Sequence, residues 1–146
     1  MKIENLVHEM ADTIRAIEFA APVPVIEEDK GDVVRELEAA VGRTSRCVVV
    51  GWDGFLPRIV GSTAPRETPF GSVTLVAAVF EKPAVSRASA AAPRLLEIAR
   101  AIVCALDNAA AEGMDDTLHL KRISPVSAVE NGIITCTVEF STAGEL

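Results

Sequence analysis

The chain has no tyrosine, one tryptophan, two histidines and three cysteines in 146 residues. With so few aromatic rings, the core must be filled by small aliphatic groups. These let helix and sheet approach closely but bury less area per residue. Cys47, Cys104 and Cys136 stand singly, with no C-x-x-C pair; the odd count reads as reduced, buried thiols that fill space. Neither His8 nor His119 has a cysteine or aspartate at nucleophile spacing, so acyl transfer has no general base and no catalytic residue is assigned. No glycine-rich phosphate loop and no cluster of metal ligands occurs, so neither cofactor nor metal is expected. No run approaches the ~20 apolar residues needed to span a bilayer. The first ten residues hold Glu4, His8 and Glu9, which interrupt any signal-peptide core. A soluble protein made in a cytoplasm, without a membrane partner, is expected.

A net charge of −7 argues against a general nucleic-acid coat, which needs a basic surface to displace counterions. The charge is uneven. Residues 1–41 carry ten acids and four bases, residues 42–100 four acids and eight bases, and residues 101–146 seven acids and two bases. Such unlike segments are either an accident of solvation or complementary interfaces between copies. Hydrophobic residues make up 49% of the chain, which excludes disorder, and the length fits one domain spanning residues 1–146.

Ile3, Leu6, Val7, Met10, Ile14 and Ile17 recur at helical steps, and Pro22 is expected to stop that helix. Val23-Pro24-Val25-Ile26 reads as an edge strand at best, because proline donates nothing to a ladder. Asp32 is placed to cap a second helix with the stripe Val33, Val34, Leu37, Ala40 and Val41, ended by Gly42. Arg46–Gly51 and Ser72–Phe80 are apolar on both faces, as central strands are. Between them, Trp52 to Gly71 holds three prolines and three glycines and reads as a long loop of roughly twenty residues, a length that tends to be functional. After an alanine-rich linker, Pro93 opens a helix with Leu95, Leu96, Ile98, Ala99, Ile102, Val103 and Leu106 inward. Leu118–Val126 and Ile133–Ser141 form a hairpin around Asn131-Gly132, both residues tolerating positive φ. In the last strand Ile134, Cys136, Val138 and Phe140 face in. The order of elements predicts an α+β fold: a single, mostly antiparallel, four-stranded sheet with about three helices on one face.

Two metal readings fail on context. Asp12 with Glu28-x-Lys30 has the residue types of a metal-dependent nuclease, but Asp12 sits on a helix and the Glu-x-Lys in a turn. Asp115-Asp116 lacks the alternating spacing of a calcium loop. The segment Trp52-Asp53-Gly54-Phe55-Leu56-Pro57 admits two readings. Either it is a loop root whose Trp52 tucks under the core, or Phe55 and Leu56 are anchors for another chain. Tryptophan and arginine are enriched at interface hot spots. The candidate interface therefore comprises Trp52, Phe55, Leu56, Arg58 and Arg66, with Arg43 and Arg46 from the basic middle of the chain.

Three stretches carry a family resemblance: the opening helix Ile3 to Ile17; the strand Val73 to Pro83 followed by the helix Pro93 to Leu106; and the closing segment Leu120-Lys121-Arg122-Ile123-Ser124-Pro125-Val126 through Gly132 to Val138-Glu139-Phe140. In this pattern the chain resembles the tail terminator and tail-completion proteins of long-tailed bacteriophages. The alanine content of Ala84 to Ala92 departs from it. The resemblance implies a structural virion protein of the tail or neck, assembled in the bacterial host cytoplasm. It implies a homo-oligomeric, hexameric ring that caps the tail tube and meets the head–tail connector. The implied partners are its own copies, the tail tube protein and the connector protein, without membrane or sequence-specific nucleic acid, and no catalytic residues come with it. A ring needs one patch to meet a different patch on the next copy, which the unlike charges suit, and Trp52 to Gly71 is long enough to project. The competing expectations are a small cytoplasmic enzyme or ligand-binding domain, and an adaptor subunit of another complex.

Overall fold

The computed structural model describes residues 2–28, 31–58, 69–83, 93–109 and 117–146. The helical stripe at the start folds as expected: α1 (Ile3–Arg15) buries Leu6, Val7, Met10, Ala11 and Ile14. It ends at Arg15, well before Pro22. There the Arg15 guanidinium bonds the Val25 carbonyl at 3.1 Å and turns the chain back toward the sheet. The edge strand β1 (Val25–Glu27) follows. Asp32 then caps α2 (Val33–Thr44), its carboxylate accepting from the Arg35 N–H at 3.2 Å. This helix runs through Gly42. It ends on Ser45, which takes the left-handed conformation (φ 65°) while the Thr44 hydroxyl bonds the Ala40 and Arg46 carbonyls.

The remaining elements are β2 (Arg46–Pro57), β3 (Phe70–Glu81), α3 (Leu95–Leu106), β4 (His119–Ile123), β5 (Ser127–Ala128), a short 3-10 turn (Glu130–Gly132) and β6 (Ile134–Glu145). The fold is α+β, but the sheet has six strands rather than four. Its order is β1-β2-β3-β6-β4, with β5 also on β6. β1 and β2 run parallel, joined through α2, and every other pairing is antiparallel. A parallel neighbour needs a crossover, which α2 supplies. At the closing turn Asn131 (φ 63°) and Gly132 (φ 73°) adopt the positive φ expected of the Asn-Gly pair.

The helices do not share one face. Val48 and Val50 of β2 join α1, α3, Leu75 and Val138 in the main core. Cys47 and Val49, which point the other way, form a second cluster with Ala40 and Val41 of α2 and with Ala78 and Phe80 of β3. A strand apolar on both faces needs cover on both, so α1 and α3 lie on one side and α2 on the other. Cys47 and Cys136 are buried, as expected, but Cys104 lies exposed on α3.

The expected long loop is shorter than its sequence suggests. Trp52–Pro57 belongs to β2, in register with β3 across an irregularity between Trp52 and Phe55, and Phe70–Gly71 belongs to β3. The bulge absorbs Asp53 and Gly54, and Gly54 takes φ 98°, which masks the period-2 pattern. Residues 59–68 of the expected loop, with its tip at Ser62–Ala64, lie outside the described residues.

Candidate functional site

The expected interface residues separate into three environments. Trp52 is 44% exposed and Leu56 71%, while Phe55 packs against the main core. The ring that tucks in is therefore Phe55 rather than Trp52, and Leu56 is exposed. Arg58 and Arg43 are exposed, and Arg66 lies outside the described residues. Arg46 is no surface residue: it is 3% exposed, because it starts β2 with its side chain on the α1–α3 face.

Among the described residues, Val34 on α2, Leu96 on α3, Val129 and Leu146 are exposed apolar groups, and the others lie at the two borders of the sheet. At one border, β4 carries Leu120 and Ile123, continued by Val126, all exposed and accompanied by Lys121 and Arg122. Its backbone is guarded against simple strand addition. Asp107 accepts the Leu120 N–H at 3.1 Å, and the register shifts between Leu120 and Arg122; both features blunt an edge. What this border presents to its surroundings is therefore its side chains rather than a free strand backbone. At the other border β1 ends, with the Glu28 N–H on the Val50 carbonyl, and β2 continues alone. Trp52 and Leu56 stand there on opposite faces, by their register with Leu75 and Ser72; Asp53 follows Trp52 in the bulge, and Glu28 accepts the Trp52 N–H at 3.4 Å. Both borders carry exposed apolar groups; the first has Lys121 and Arg122 beside them, and the second has Glu28 and Asp53 with Arg58 further along.

A polar network that sequence reasoning missed ties α1 to β1. Glu27 is buried and accepts from His8 Nδ1 at 2.8 Å and from Arg15 at 3.0 Å. Asp12 pairs with Arg15 at 2.8 Å and lies 3.2 Å from His8 Nε2. Burial opposes the Arg15 charge, but the hydrogen bonds and negative charges of Asp12 and Glu27 outweigh it, so its pKa stands above the ordinary arginine value. The helical spacing of His8, Asp12 and Arg15 was visible in the sequence; the reach to Glu27 was not. Asp12 is thus engaged by Arg15 and His8, and among the described residues no three His, Cys, Asp or Glu side chains are grouped to hold a metal ion.

A second polar group sits at the end of the α1–α3 face. Arg46 and Glu81 are register partners, and Glu81 is 1% exposed. Glu81 accepts from Arg94 Nε at 2.8 Å. Arg46 donates to Ser45 Oγ at 2.8 Å, while its Nε is buried without a partner. Burial lowers the Arg46 pKa; the Glu81 charge opposes that and the Arg94 charge adds to it. A buried donor left unmade costs about 1–3 kcal/mol. Compared with family models and with curated proteins, the chain matches none.

Proposed function

We propose that this chain is a structural subunit that joins copies of itself into a ring, and that the ring caps or completes a phage-type tail tube at its junction with the head connector. The observation that carries the reading is the pair of unlike sheet borders. Leu120, Ile123 and Val126 with Lys121 and Arg122 lie on one, and Trp52 and Leu56 with Asp53 and Glu28 on the other. A closed ring is built from such heterologous patches, and complementary charge fixes their register. The apolar anchors supply the area and Trp52 the hot-spot chemistry. The tube-capping part of the reading rests on the resemblance of the opening helix, the β3–α3 unit and the closing segment to tail terminators.

Sedimentation of the purified protein tests the ring. The wild type is expected as a discrete oligomer. A Lys121→Glu, Arg122→Glu variant is expected to fall apart to monomer, and adding Glu28→Lys and Asp53→Lys to the same chain is expected to restore assembly. Rescue by reversal separates a charge-matched interface from a folding defect. Wild-type protein that stays monomeric even with tail tubes present, or a double-glutamate variant that assembles unchanged, overturns the proposal. Electron microscopy of tubes mixed with the protein tests capping, which is read as density at one tube end only.

A further inference from the structure

We propose that the cavity beneath the connection between α1 and β1 is a binding site for a small carboxylate with an apolar body, and that Arg46 is its anion anchor. The cavity has a volume of about 1100 Å³ and opens between the last turn of α1, the segment 17–24, the end of α2 and the start of β2. Small-molecule sites are mostly apolar clefts with a few placed polar groups, and this lining has that composition. Ile14, Ile17, Phe19 and Val23 form apolar walls, and Arg46 is the buried cation among them.

Three observations point to an anion. First, Arg46 carries five N–H donors, yet its hydrogen bond goes to the neutral Ser45 hydroxyl and Nε stays buried without a partner. Second, the carboxylate beside it in register, Glu81, accepts from Arg94, so among the described residues two guanidinium groups face this one carboxylate. Third, the other cations at the cavity differ in kind from Arg46. Arg15 is held by Asp12 and Glu27, while Arg43 lines the cavity as an exposed residue. The built anchor is therefore single and buried, suited to a monoanion. A guanidinium meets a carboxylate through paired N–H donors, and the walls of Ile14, Ile17, Phe19 and Val23 reward an apolar body behind it. This site lies at the start of β1, at the opposite end of that strand from Glu28.

Isothermal titration with octanoate tests the site on the full chain, with octanol and acetate as controls and the Arg46 Nε–H resonance followed by NMR. Octanoate is expected to bind and to shift that resonance. Octanol, which has no charge, and acetate, which has no apolar body, are each expected to bind at least tenfold more weakly. Arg46→Met is expected to weaken octanoate at least tenfold. Ala20→Trp places a bulky ring on the exposed rim of the cavity without removing a core contact, and it is expected to block binding even if the Arg46 variant fails to fold. No octanoate binding to the wild type, equal binding of octanol, or octanoate affinity unchanged in either folded variant overturns the proposal.

Discussion

Replacing a buried arginine with an apolar residue of similar length ordinarily destabilises a protein; here Arg46→Met is expected to stabilise it. Arg46 is 3% exposed and donates to Ser45 Oγ, and its Nε is buried without a partner. Desolvation is the largest influence on its charge, ahead of attraction to Glu81 and repulsion from Arg94. Removing the unmade donor recovers about 1–3 kcal/mol. Losing the Ser45 hydrogen bond returns about 1 kcal/mol of that, and the Arg94 repulsion works against the Glu81 attraction. The net gain is about 1 kcal/mol, or about 3 °C in Tm for a chain of this length. Arg94→Met should do the opposite. Glu81 is 1% exposed and accepts from Arg94 at 2.8 Å, so the variant takes a charged donor from a buried carboxylate. The half-exposed position of Arg94 discounts that loss to about 2 kcal/mol. Urea unfolding at pH 7 measures both, with an unchanged m-value certifying that the difference is one of stability. An Arg46→Met variant destabilised by about 1 kcal/mol or more refutes the reasoning. It would mean that Arg46 holds the sheet end together rather than waiting for a ligand. Retaining a costly group at a site that binds something is the usual exchange of stability for function.

Two further expectations concern the β2–β3 pair and the alkaline limb of stability. A side chain at Gly71 would meet the Leu56 carbonyl and the Pro57 backbone, whereas one at Gly51 would meet only the flexible carboxylate of Glu28. Gly71→Ala should therefore cost about 2 kcal/mol or more and Gly51→Ala under about 1 kcal/mol, as read by thermal melts; equal costs would refute the distinction. Burial, with the Glu36 charge adding to it, pushes the Cys47 thiol up to about 12. The folded state thus holds this proton above the ordinary cysteine range while the unfolded chain has released it. Stability from this source is intact below about pH 8.5 and falls as pH rises toward 12, by at most about 1.4 kcal/mol per unit. Cys47→Ala should flatten that slope relative to wild type in urea melts between pH 8 and 10, and identical slopes would refute it.

The helices and the faces of the central strands were legible in the sequence because they depend on local period. The α1 stripe, the Asp32 cap, the alternation of β6 and the Asn131-Gly132 turn each report a preference that neighbouring residues decide among themselves. The extension of β2 to Pro57 was hidden because a bulge at Asp53-Gly54 breaks alternation and Pro57 imitates a loop. The candidate interface was legible only in part. Leu56 is exposed as one of the two readings required, but Phe55 is drawn into the core by its register with Val73, a partner eighteen residues away in sequence and invisible to spacing.

What the sequence determined alone was the three helices, the central strands and the apolar faces of those strands, because burial must follow side-chain periodicity in any arrangement. What only the tertiary structure decided was adjacency. Adjacency set β1 parallel to β2, placed α2 on the face opposite α1 and α3, brought His8 and Arg15 onto Glu27, and buried Arg46 against a Glu81 already held by Arg94. These are contacts between segments distant in the chain. Their energies depend on which groups meet once water is excluded, and no local pattern encodes that meeting.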